Sequence, residues 1–121
     1  RKTVQLEQSN YQTRTALSYI TQKIHQNDLI DSVSLQQIDQ KDVLVLKSSY
    51  SQGKYTTYLY EDKGYLKELF ISNQLEFDKD DGKKIIPVSH LKMQQINPYL
   101  YHFSCIVDHK EINTNVAIQS K

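Results

Sequence analysis

Two periodicities divide the chain. From Leu17 the apolar positions Leu17, Ile20 and Ile24 recur at a spacing of three and then four residues, which sets them on one side of a helix with Ala16 at its border. The preceding turns carry this phase weakly, through Leu6, Asn10 and Thr13, so that half of the helix has little to bury. Asn27 and Asp28 draw backbone hydrogen bonds to their own side chains, and the helix is expected to end between Gln26 and Asp31. The spacing therefore predicts one long helix over residues 1–28, wet in its first half and packed in its second.

After Ser32 the pattern becomes alternating and stays so to the C-terminus. It predicts strands at 33–38, 43–50, 54–61, 65–72, 88–96, 99–107 and 112–119. All three glycines fall between these strands, in SQGK, EDKGY and KDDGKK, and Pro87 and Pro98 sit at element edges. Short connections favour an antiparallel meander. The exception is residues 73–87, NQLEFDKDDGKKIIP, expected as a surface loop of the kind that carries recognition. In the last hairpin, setting Met93 opposite Phe103 and Leu91 opposite Cys105 brings apolar side chains together, which turns Tyr101, Phe103, Cys105 and Val107 to the core.

These elements predict an α+β fold: a single domain over 1–121, with a helix at 1–28 packed across an antiparallel sheet at 32–120. The length suits one core. Apolar residues make up 38% of the chain and charged ones 24%, enough apolar surface for a folded domain. With 15 Lys plus Arg against 14 Asp plus Glu, the net charge of +1 gives no drive toward a phosphate backbone, so nucleic acid is not implied. One cysteine excludes an intramolecular disulfide framework and a cysteine-based zinc site. No stretch of the sequence reaches the length of a membrane span.

Candidate chemistry is sparse. His90 and His102 share a face of one hairpin but stand roughly 13 Å apart at 3.3 Å per residue, too far for one metal. Cys105 lies in HFSCIV, a strand core with no basic neighbour to lower its pKa, and reads as a buried thiol. No glycine-rich phosphate loop, GxSxG or HExxH occurs, and no carboxylate pair sits in an apolar neighbourhood, so the sequence points away from an enzyme and from a cofactor. Asp78, Asp80 and Asp81 before Gly82 are a weak calcium candidate: clustered carboxylates suit a hard cation, but the spacing departs from an EF-hand and two lysines follow. Nine tyrosines are the unusual feature, several of them in YTTYLYEDKGY. Tyr58 and Tyr60 share one face of their strand and are the candidates for contact with a partner.

The polar-then-packed helix and the meander resemble the globular part of type IV pilins and pseudopilins. RTALSYITQKIHQND followed by DSVSL, then GYLKELF and the closing strands, also looks like an uncharacterised family of Gram-positive bacterial proteins. The resemblance implies a membrane-spanning half of the same helix upstream of Arg1, a place on the cell surface, and a structural or accessory role beside other subunits of a filament, secretion or DNA-uptake apparatus. The glutamate and cleavage motif of true pilins would lie upstream of this sequence. A second expectation is a surface domain that binds a peptide or a glycan through exposed tyrosines.

Overall fold

In the computed structural model, residues 17–27, 32–107 and 109–118 are described. One helix, α1 (Tyr19–Gln26), is followed by eight strands: β1 (Val33–Ile38), β2 (Lys41–Tyr50), β3 (Gly53–Asp62), β4 (Tyr65–Ser72), β5 (Lys83–Pro87), β6 (Ser89–Asn97), β7 (Leu100–Val107) and β8 (Lys110–Ala117). They form two antiparallel meanders, a five-stranded sheet in the order β1-β2-β3-β4-β5 and a three-stranded sheet in the order β6-β7-β8.

This corrects the expected α+β fold with a long helix lying on one sheet. Strand dominates the described residues, in two sheets, and the helix among them is eight residues long. The expected helical stretch at 1–16 lies outside the described residues. At 1.5 Å per residue α1 spans only about 12 Å, whereas five strands at about 4.8 Å spacing present a face roughly twice as wide. A helix of that length leaves much of the face open, and the second sheet folds over the remainder. Pro87, which has no N–H to continue a ladder, closes β5, and one residue later the chain enters β6 in the other sheet.

The shared core draws on all three pieces. Leu17, Ile20 and Ile24 from the helical stripe meet Val33, Leu44, Leu46, Leu59 and Leu66 from the five-stranded sheet and Met93, Tyr101, Phe103, Cys105 and Val116 from the other. Met93 stands opposite Phe103 as the pattern required, but Leu91 does not pair with Cys105, because the register shifts between Ser89 and Lys92. The side chain of Val107 is not described. Asn27 ends the helix, its N–H bonded to the carbonyls of Lys23 and Ile24 and its side-chain amide donating to the Lys47 carbonyl at 3.0 Å.

The five-stranded sheet is apolar on its other face too. Val43, Val45, Tyr60 and Leu69 are buried there, with Ile38, Tyr58, Ile71 and Phe77 packed against them. Their cover is the segment expected to be an open loop: residues 73–87 turn back through a short 3-10 turn at Lys79–Asp81 and then add β5 to the sheet. Gly82 has an ordinary extended conformation, φ −70°, so its glycine is not needed for a left-handed turn. It is needed for space, since a Cβ there would overlap the Tyr60 hydroxyl and crowd Lys67. Gly82→Ala should therefore destabilise by about 1–3 kcal/mol through overpacking, and Ile20→Ala in the opposite core should cost about 2–5 kcal/mol. Denaturant unfolding of the two variants measures both.

Candidate interaction surfaces

Beneath the 77–82 segment lies the most heavily shielded charge cluster among the described residues. Asp62 and Lys67, 2% and 5% exposed, form an ion pair at 2.8 Å, and Lys41 reaches the other Asp62 oxygen at 3.2 Å. The carbonyl of Lys79 accepts from the Tyr60 hydroxyl at 2.7 Å and from Lys67 Nζ at 3.3 Å. The two lysines hold the Asp62 carboxyl at about 2, below its usual 3.8, Lys67 contributing first. Burial, and after it the Asp62 charge, pushes the Tyr60 phenol up to about 12. A carboxylate this firmly paired and sealed is a clamp holding the segment to the sheet.

That arrangement relocates the sequence-predicted residues. Tyr60 is fully buried, and Tyr58 is half-buried against Phe77 with ring centroids 4.9 Å apart, so neither offers a free ring. Asp78 caps the 3-10 turn, its Oδ1 accepting from the Asp80 N–H at 3.0 Å, and Asp80 faces Lys63 at 3.9 Å. Asp78, Asp80 and Asp81 do not converge, and no group of three or more metal-ligating side chains is found among the described residues. The four histidines are likewise not brought together; His102 Nδ1 lies 2.6 Å from Asn115 Oδ1. Cys105 is 1% exposed, and burial with the nearby Glu61 charge pushes its thiol up to about 11.

An exposed aromatic surface does exist, on three other residues. Tyr50, Tyr55 and Phe70 come from adjacent strands β2, β3 and β4. In each strand they fall four positions from a core residue, Leu46, Leu59 and Leu66 respectively, and so share the core-facing side of the sheet. Tyr55 and Phe70 stack at 5.1 Å and 10°, while Tyr50 meets them edge-on at 5.8 and 6.3 Å. Tyr50 stays 52% and Phe70 49% exposed. Beside them the helix is tied down by Lys23 to Glu68 at 3.1 Å and by the Tyr19 hydroxyl donating to Glu68. Strand alternation alone could have placed Tyr50 and Tyr55 on one face, but only the tertiary structure shows that this portion stays half-exposed.

At the opposite end of the strands is a cleft of about 430 Å³ lined by Gln37, Gln40, Lys41, Asp42, Glu61, Lys63 and Leu91. It opens where the β6 ladder breaks: the Leu91 N–H donates to Glu61 Oε1 at 2.9 Å rather than to a neighbouring strand.

The fold and its surfaces define a strand-rich, two-sheet domain. The chain belongs to the family described as Domain of unknown function (DUF4860), whose model matches residues 11–108. No curated protein and no solved structure matches it. The strand-rich, two-sheet fold overturns the expected helix-led, pilin-like architecture. No helix among the described residues is long and apolar enough to cross a membrane.

Because the folded pKa of Asp62 lies below its unfolded value, its pairing contributes fully above pH 4 and is lost as pH falls from about 4 to 2. Asp62→Asn should flatten that acid limb in a stability-against-pH series and, by leaving Lys67 buried without its partner, lower stability at pH 7 by about 3 kcal/mol or more. Cys105 should resist a thiol reagent in the native protein and react at the rate of a free thiol only once denaturant unfolds the chain.

Proposed function

We propose that the protein is a non-enzymatic interaction domain at the bacterial cell surface, acting as a structural or accessory subunit that associates through Tyr50, Tyr55 and Phe70 with a second copy of itself. The observation that carries this reading is an aromatic cluster left half-exposed on the side of the sheet that elsewhere forms the core. Aromatic residues are enriched at interface centres, and a contiguous apolar patch costs solvation when left uncovered. A second copy suits the patch because its border is electrically neutral: Lys23 and Glu68 already pair with each other at 3.1 Å, so no net charge opposes the approach of two like surfaces.

A catalytic role draws no support from the shifted groups. Asp62, Tyr60 and Cys105 are enclosed by packing or by the clamp. The surface location rests on the likeness to Gram-positive proteins and carries its own expectation, about 20 apolar residues encoded immediately before Arg1. A polar upstream region would remove the anchor from the reading.

Light scattering over a concentration series tests the association. The wild-type chain should move from monomer toward dimer, and Tyr50→Ser combined with Phe70→Ser should weaken that at least tenfold while leaving thermal unfolding within a few degrees, since both rings are half-exposed already. Identical monomers for both proteins into the millimolar range would sink the proposal.

A further inference from the structure

The polar cleft stands apart from the aromatic surface, and its chemistry is of a different kind. Its floor and rim are held in place by the backbone. Gln40 and Lys63 occupy two-residue hairpin turns with φ of 66° and 54°, and His90, beside Leu91, has φ of 54° at the break in the β6 ladder. Non-glycine residues in this region are strained and persist only where packing imposes them. These positions lie in two hairpin turns and at one strand irregularity, so the lining groups are presented from a fixed frame rather than from one pliable loop.

The hydrogen-bond accounting selects a ligand. Lys41 Nζ is held by the Asp62 carboxylate and by the Glu61 carbonyl, both at 3.2 Å, whereas Lys63 is exposed and meets Asp80 only at 3.9 Å; the two lysines of the lining are balanced in number by its two carboxylates, Asp42 and Glu61. Asp42 and Glu61 each accept from a neutral donor, the Gln37 amide at 3.1 Å and the Leu91 N–H at 2.9 Å, which leaves the second oxygen of each carboxylate for another donor. The amides of Gln37 and Gln40 can both donate and accept. Leu91 supplies an aliphatic surface in an otherwise polar wall. The volume of about 430 Å³ lies in the range of small-ligand sites.

A phosphate or carboxylate ligand would meet the two carboxylates as well as the two lysines, so the lining gives an anion no net attraction. A metal ion would find no converging set of three ligands among the described residues. A neutral sugar satisfies every group: its hydroxyls donate to Asp42 and Glu61, accept from the lysines, do both with the glutamines, and its CH face lies on Leu91.

From this lining we infer that the cleft formed by the β1–β2 turn, the β3–β4 turn and the start of β6 is a binding site for a neutral mono- or disaccharide. The inference does not rest on self-association through Tyr50 and Phe70, and either can fail without the other.

The test is a titration of the full chain with glucose, N-acetylglucosamine and maltose, followed residue by residue by amide NMR. The expected result is saturable shifts at Gln37, Gln40, Asp42, Glu61 and Leu91 with at least one of the three sugars in the millimolar range. Asp42→Ala should weaken that binding at least tenfold. Gln40→Gly, which removes the side chain while suiting the left-handed backbone, should weaken it with no loss of stability. Absence of saturable shifts with all three sugars overturns the inference, as do shifts confined to Tyr50, Tyr55 and Phe70, or affinity unchanged in both variants. Saturation of the same residues by a lysine-rich peptide and by none of the sugars would overturn it as well, by showing that the carboxylates dominate the site.

Discussion

The architecture depends on one constraint: the five-stranded sheet is apolar on both faces and must be covered twice. Val43, Leu44, Val45 and Leu46 are buried in succession along β2, so neighbouring side chains point to opposite sides and neither side can be left to water. Four residues of this kind remove most of the freedom a half-wetted sheet would have. Each cover has its own chemistry. On one side, helix and second sheet supply aliphatic and aromatic packing; on the other, Phe77 supplies a ring and a buried ion pair fastens the segment that carries it.

The Asp62–Lys67 pair is instructive because burying charge is costly unless every partner is in place. Here Asp62 has two ammonium partners, Lys67 has a carboxylate and a backbone carbonyl, and Tyr60 shares that carbonyl. The cluster fixes where the 77–82 segment lands, since the Lys79 carbonyl must sit over two donors at once and Gly82 must pass the Tyr60 ring. Specific location, rather than net stabilisation, is what such a network contributes best.

Both proposed surfaces are edges of the packing. Tyr50 and Phe70 stay half-exposed beside Tyr55, leaving aromatic area at one end of the strands, and the second sheet breaks its ladder at His90 and Leu91, leaving a polar cleft at the other. Each is a boundary of packing, with residues whose types match what they would contact: aromatic rings for a protein surface, mixed amides and carboxylates for a hydroxylated ligand.

Much of the local structure was legible in the sequence: the alternating strands, the stripe of Leu17, Ile20 and Ile24, the end of the helix near Asn27, and the buried run of Tyr101, Phe103 and Cys105. These follow from the periods of helix and strand, which act over a few residues. Residues 83–87 escaped as a strand because KKIIP is short, charged at one end and closed by proline, and only pairing with β4 gives it that form. The division into two sheets, the burial of Tyr60 and the bareness of Tyr50 and Phe70 were decided by tertiary structure alone. A period of two says which side chains share a face, but whether that face is covered depends on elements distant in the chain, and no local pattern records where a cover ends.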